Sequence, residues 1–333
     1  MTTRPKRDDF RTLVHAPTEL ASDYLEWAEY IQSVEGVTWG IEAIDKRVIP
    51  LRPGEMGVII GRPGHGKTSI LAYLARQEAQ RIMARETRNS ECVVFVTWEE
   101  SAEELTKMFL GRPDTPYTIT DLAWGRVDLD VVRRQAVRQS EFPPIFVIGH
   151  GVVRARHGKR APRMTPVEVL GAIETLEPDF GLKPTLMLFD YVQRIPIANI
   201  SKKTEEVTEA TAQIGNLAMR IACPVYVGAQ ANRDVDYRDD KMPKAADCQW
   251  ASAIEQDADK LFSLMRPIKY RNENELLELS DGRSFIIKDT LLMVQMLKQR
   301  GDAGNFTWGM YFDTATLKMG VAQTAGEQHD IRF

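Results

Sequence analysis

One short stretch limits what this chain can become: Gly61-Arg62-Pro63-Gly64-His65-Gly66-Lys67-Thr68. It fits G-x-x-x-x-G-K-[ST], the spacing of a phosphate-binding loop. A nucleoside triphosphate carries dense negative charge that has to be held without bulky side chains in the way. Gly61, Gly64 and Gly66 let the backbone curl until successive N–H groups point inward. A helix opening near Lys67 adds unpaired amides and the positive end of its dipole. Lys67 then reaches the β- and γ-phosphates, and the Thr68 hydroxyl is placed to ligate Mg²⁺. The candidate nucleotide-binding set is therefore Gly61 to Thr68 with Ser69 beside it, and the expected ligands are a nucleoside triphosphate and Mg²⁺.

The surroundings agree with the motif. Met56-Gly57-Val58-Ile59-Ile60 is an apolar run that reads as a strand, and Ile70 to Ala75 continue as a helix. Further apolar runs predict strands at Cys92–Thr97, Pro144–Ile148, Thr185–Phe189 and Pro224–Ala229. Helices are predicted between them: one to about Thr87, one opened by Ser101 with Glu104 as a capping box, one from Thr165-Pro166, and one over 204–222. Near-continuous apolar strands alternating with helices predict an α/β fold, a mainly parallel sheet covered on both faces. Leu291–Leu297 and Phe306–Phe312 read as an antiparallel hairpin at the sheet edge, joined through Lys298 to Gly304. Residues 266–290 read as charged and irregular with a turn at Asp281-Gly282, and the last ~15 residues as frayed.

Before the sheet, Leu20, Tyr24, Trp27, Ala28 and Ile31 recur at helical spacing. That apolar stripe fits two readings, packing on its own core or on a neighbouring subunit. Cys92, Cys223 and Cys248 are far apart and odd in number, with neither metal-site nor disulfide spacing. No run approaches the ~20 apolar residues that span a bilayer, and the N-terminus lacks the apolar stretch of a signal peptide. The expected setting is the cytoplasm, with no membrane. A net charge of −4 excludes a surface coated in basic residues but leaves room for a local nucleic-acid site.

Ligand sites in a parallel sheet gather at the carboxyl ends of the strands. Those ends carry Gly61, Glu99, Asp190 and Gln230. Asp190 closes an apolar run, the way a carboxylate is displayed to hold a Mg²⁺ water. Glu99 is the candidate base for an attacking water, with its neighbour Glu100 as rival. Gln230 reads either as a γ-phosphate sensor or as a strand-end hydrogen bond. Lys298 and Arg300 read either as solvated loop charge or as an arginine finger reaching a neighbour's nucleotide; spacing does not choose between them.

Together these motifs resemble the RecA-fold motor domain of DnaB-type replicative helicases over about 37–315. Matching stretches include Thr97-Trp98-Glu99-Glu100, Phe189-Asp190-Tyr191-Val192-Gln193, Gly228-Ala229-Gln230-Ala231-Asn232-Arg233 and Lys298-Gln299-Arg300. Ile254-Glu255-Gln256-Asp257-Ala258-Asp259 is the most family-specific, because no general NTPase rule demands it. The resemblance implies an N-terminal extension (1–35), a RecA-like ATPase domain (36–318) and a tail (319–333). It makes Lys67, Glu99 and Gln230 the catalytic set with Thr68 and Asp190 on the metal, and Lys298 and Arg300 residues donated to the next subunit. A hexameric homo-oligomeric ring around single-stranded DNA follows. The DNA would touch loops holding Lys202 and Lys203, then Arg233, Arg238, Lys241 and Lys244. The family's N-terminal helical domain and a fused primase have no counterpart here, so loader and primase proteins are expected partners. Where the family commonly has an Arg-Glu pair, this chain has Gln249-Trp250. The implied activity is an ATP-dependent DNA helicase or translocase; the alternative is a RecA-fold ATPase that assembles on DNA or protein without unwinding.

Overall fold

The computed structural model describes residues 16–111, 115–137, 144–151, 163–249, 252–301 and 304–326. The chain divides into two compact units, Met1–Gly36 and Val37–Phe333. In the first, α1 (Leu20–Ser33) buries none of its residues. Leu20, Tyr24 and Trp27 stand out in solvent along the stripe anticipated from the sequence.

The second unit is built on a nine-stranded sheet. Its strands are β1 (Met56–Gly61), β2 (Glu91–Thr97), β3 (Ile145–Ile148), β4 (Lys183–Asp190), β5 (Val225–Gln230) and β6 (Lys260–Met265), followed after a short excursion by three more. The excursion is a separate two-stranded sheet of β7 (Leu276–Glu278) and β8 (Ser284–Ile286). The last three are β9 (Leu291–Gln299), β10 (Phe306–Asp313) and β11 (Lys318–Val321). Across the main sheet the order is β11-β10-β9-β6-β1-β5-β4-β2-β3. The six strands from β6 to β3 run parallel and the remaining three add an antiparallel edge.

Alternation along the strands builds two cores. Ile59, Phe95, Leu188 and Phe262 face a cluster with Ile70, Leu71 and Leu74 of α2 (Lys67–Ala84) and Leu105 and Phe109 of α3 (Ala102–Leu110). Val58, Ile60, Val94, Phe189 and Val227 face the other side, against Val169 and Ile173 of α4 (Pro166–Glu174) and Val207 and Ile214 of α5 (Lys203–Ile221). All three cysteines are free and buried.

The parallel strands and the 291–312 hairpin stand where the sequence puts them, but three segments differ. Strand β6, which the sequence reading did not assign, pairs directly with β1. The 266–290 stretch contains β7 and β8 and encloses a third small core of Leu277, Phe285 and Ile287 with Met242 and Met293. The segment expected to fray supplies β11, so the hairpin lies one strand in from the edge.

Candidate nucleotide site

β1 delivers the chain to Gly61, and α2 begins at Lys67. The turn between them needs glycine at two positions: φ is +76° at Gly64 and +92° at Gly66, which caps the helix in the left-handed region. Lys67 is buried and folds back on the loop, its Nζ donating to the carbonyls of Gly61 at 3.0 Å and Arg62 at 3.2 Å. Burial lowers its pKa to about 8, a displacement that the charges of Asp190 and Glu99 oppose. An ammonium held this way is ready to exchange two carbonyls for phosphate oxygens.

Parallel pairing aligns the other strand ends with this loop. Gly61 lies opposite Gln230, and Thr97 opposite Asp190. Thr68 donates from Oγ1 to Asp190 Oδ2 at 2.7 Å. Asp190 is 1% exposed, and its other oxygen, Oδ1, has no hydrogen-bond partner. Burial pushes its pKa up to about 6. A buried carboxylate oxygen without a partner, beside a threonine hydroxyl, is a donor set for a hard cation that takes its remaining ligands from water and phosphate. Among the described residues no group of three or more His, Cys, Asp and Glu side chains is arranged to hold a metal by itself.

These residues line one cleft of about 600 Å³ with Pro63, Gly64, Ser69, Glu99, Glu100 and Gln230. Glu99 lies next to Arg194, whose NH2 is 3.5 Å from Glu99 Oε1. Glu100 is held differently: its backbone exchanges hydrogen bonds with Thr97 Oγ1, and burial raises its pKa. Gln230 is fixed through its backbone, its N–H donating to Gln193 Oε1 at 3.0 Å while Gln193 Nε2 donates to the Gln230 carbonyl at 3.3 Å.

Two side chains of the motif do not line the cleft. Arg62 forms a forked pair with Asp236, with NH2 to Oδ2 at 2.6 Å and Nε to Oδ1 at 3.1 Å, and donates from NH1 to the Ala231 carbonyl at 3.0 Å. His65 accepts at Nδ1 from the Arg266 N–H at 3.0 Å and packs on the Tyr270 ring at 5.3 Å. Burial, then the charges of Lys67 and Lys269, lowers its pKa to about 4, so the ring is neutral. Sequence reasoning missed Arg194, Arg266 and Thr314 as cleft residues. A lone cation four residues past Asp190 was a usable signal for Arg194; nothing local marked the other two.

Lys298 and Arg300 lie elsewhere. Lys298 pairs across β9 with Leu261, at the amino end of β6, whereas Gly61 faces Leu264 near its carboxyl end. About three residues of strand, roughly 10 Å, separate the two levels. Both side chains rest on the Ile254–Asp259 run. Lys298 Nζ donates to the carbonyls of Glu255 at 2.6 Å and Gln256 at 3.1 Å, and Arg300 NH1 lies 3.1 Å from Asp259 Oδ1.

The anticipated DNA-contacting cations are mostly engaged within the chain. Arg238 forks onto Asp247 at 2.9 and 2.7 Å and donates to the Met242 carbonyl. Lys241 donates to the Asp236 carbonyl at 2.8 Å and stands over the Tyr270 ring. Lys202 and Lys203 pair with Glu205 and Glu206 along their own helix, and Lys244 lies 3.7 Å from Asp240 with both side chains well exposed. Arg233 is exposed. The basic loop 154–160 and Trp250 lie outside the described residues.

Comparison with known proteins agrees with this geometry. The family model for the DnaB-like helicase C terminal domain matches residues 36–316. Replicative DNA helicase DnaB of Leifsonia xyli subsp. xyli is 26% identical over 270 residues, covering 80% of this chain and 54% of that protein. DnaB of Haemophilus influenzae is 27% identical over 258 residues, covering 76% and 51%. The chain thus spans about half the length of the curated relatives it matches. Among solved structures, the ATPase domain of G40P superimposes with a TM-score of 0.70 at 17% identity, covering 93% of this chain and all of that one. A DnaB-like replicative helicase, described with its interactions with primase, gives a TM-score of 0.70 at 18% identity over 92% of this chain and 67% of that one. At such identities the likeness carries the fold, and the expected RecA-like sheet with its antiparallel edge is met. By the span of the family match, the chain belongs to the DnaB-like helicase C-terminal domain family.

Proposed function

We propose that the chain hydrolyses ATP and uses it to drive movement along single-stranded DNA, working as a ring of identical subunits, six in the expected form. The observation that carries this reading is the separation of two half-sites. The phosphate loop, Thr68, Asp190, Glu99 and Gln230 stand at the carboxyl ends of the strands, while Lys298 and Arg300 stand toward the opposite edge. That separation supports donation of Arg300 to a second copy's triphosphate rather than to its own.

Lys67 and the loop amides bind the β- and γ-phosphates. Thr68 and Asp190 would hold Mg²⁺, which when bound neutralises charge on the phosphate oxygens. Glu99 takes the proton of the attacking water as the γ-phosphorus to bridging-oxygen bond breaks. Gln230 reports the change to the segment after β5. Arg300 and Lys298 of a neighbouring copy stabilise the charge that develops, an effect worth about 10³–10⁵ in rate where such a finger operates. Lys202, Lys203, Arg233 and Lys244 are the DNA-facing cations in this reading, and the bare apolar stripe of α1 suits packing between copies. Loader and primase proteins are the expected partners.

The internal pairing of Arg238 and Lys241 favours a second reading, an ATPase that assembles on a partner without unwinding. A single-strand-stimulated ATPase assay, run beside size measurement with a non-hydrolysable ATP analogue, separates the two. Stimulation together with a ring supports the motor; assembly with turnover indifferent to single strands supports the second reading.

A further inference from the structure

The single turn Val192–Arg194 follows β4 directly at the mouth of the cleft. Gln193, 4% exposed, locks it by bonding the backbone of Gln230 in both directions and the Gln249 carbonyl at 3.3 Å. With the turn fixed, Arg194 has a short list of places to go. Its Nε donates to Tyr191 OH at 2.8 Å, and its guanidinium lies 5.6 Å from the centroid of that ring. This anchoring leaves NH2 beside Glu99 Oε1, inside the cleft that also contains Lys67 and Asp190. Tyr191 is the shared platform, since Lys67 Nζ stands 6.0 Å from the same ring.

Glu99 lies past the end of β2, and Arg194 is its one ion-pair partner among the described residues. The two side chains are 39% and 43% exposed, too open for the pair to add much stability. An arginine braced on a tyrosine and aimed at a carboxylate does something else: it restricts where that carboxylate points.

We propose that Arg194 is a positioning residue acting within its own chain, orienting the Glu99 carboxylate toward the water that attacks the terminal phosphate. The inference rests on reading the cleft as an ATP site with Glu99 as base. In the step concerned, the water oxygen bonds to the γ-phosphorus, the bond from that phosphorus to the β–γ bridging oxygen breaks, and ADP leaves with the electron pair. The water's proton passes to Glu99. A base free to turn away meets that proton less often, and displacement by about 1 Å can cost up to 10²-fold.

The test uses the full chain, steady-state ATP hydrolysis, and binding of a fluorescent ATP analogue. Arg194→Ala should lower kcat about tenfold while KM and analogue affinity stay within about threefold. Arg194→Lys keeps the charge and should recover part of the rate. On a Glu99→Gln background, Arg194→Ala should change nothing further. Unchanged kcat in Arg194→Ala would overturn the proposal. So would a tenfold loss of analogue affinity at unchanged kcat, which marks a phosphate ligand, or a further rate loss on Glu99→Gln. Failure of the underlying reading looks different: Lys67→Ala would then bind the analogue as tightly as the parent chain, and both would fall.

Discussion

Asp236→Ala tests how far the phosphate loop depends on a segment more than 170 residues away. In the parent chain Asp236 accepts the forked pair from Arg62 and a bond from Tyr270 OH at 2.8 Å. Arg62 lowers the Asp236 pKa, followed by the Tyr270 bond once burial is set against them. Removing the carboxylate leaves an Arg62 side chain only 12% exposed with the Ala231 carbonyl as its remaining partner, and it strips Tyr270 OH of its acceptor. Breaking a fully buried pair costs about 3–5 kcal/mol. Asp236 is 33% exposed, so screening brings the expectation down to about 2–3 kcal/mol. Asp236→Asn keeps an acceptor and should lose about half as much. The measurement is urea unfolding of both variants, of Arg62→Ala and of the double variant, analysed by linear extrapolation as a cycle. A coupling energy of about 1.5 kcal/mol or more is expected between the two sites. Coupling below about 0.5 kcal/mol would refute the claim that this pair braces the loop.

Lys67→Ala should abolish ATP hydrolysis, and retained turnover in a clean preparation would remove the proposed site. Arg300→Ala should eliminate turnover while leaving nucleotide binding largely intact; mixing it with Lys67→Ala should restore some activity, because a mixed ring contains interfaces that join a whole loop to a whole finger, and wild-type turnover by Arg300→Ala alone would sink the trans arrangement. His65 has a folded pKa of about 4 against 6.5 unfolded. The unfolded chain therefore binds the extra proton between those values, and stability present above pH 6.5 is lost as pH falls toward 4, by up to about 3 kcal/mol. His65→Gln should flatten that part of the stability–pH curve, and an unchanged slope would assign the loss to other groups. If the exposed cations contact DNA, log affinity for single strands should fall linearly with log salt, and a flat dependence would exclude phosphate contacts.

What the sequence disclosed was local. The phosphate loop reads off eight consecutive residues, and the strands ending at Asp190 and Gln230 read off unbroken apolar runs because both faces of a parallel sheet are covered. β6 is as buried as its neighbours yet escaped, since Lys260 and Ser263 break its run. Lys260 is 2% exposed because Glu55 meets it at 2.7 Å, and that partner is 205 residues away. The β7–β8 excursion stayed hidden for a related reason. Phe285 finds its place over Gly309, where a Cβ would stand 2.4 Å from the ring. No window of sequence contains both residues. Ser101 is an intermediate case: it caps α3 by accepting from the Glu104 N–H at 3.1 Å, but the Glu104 side chain turns to Lys107 instead of completing the box.

The loop motif itself shows most clearly what pattern matching leaves out. Its unspecified positions look like spare members of a phosphate site, yet a loop that offers backbone N–H groups inward must send intervening side chains outward. Arg62 and His65 obey that rule, and what they meet is informative. Arg62 grips Asp236 in the segment after Gln230, and His65 takes the N–H of Arg266 just past β6. On the far side of the cleft, Gln193 ties the turn after Asp190 to the same Gln230. The chain at and just after Gln230 is thus tied on both flanks, to the turn after Asp190 and to the Gly61–Thr68 loop. Two stiff links of this kind leave the segment after β5 little freedom to shift while nucleotide geometry stays fixed. In the ATPase proposed above, turnover would reach that segment without a long relay, through the release of Arg62 or Gln193.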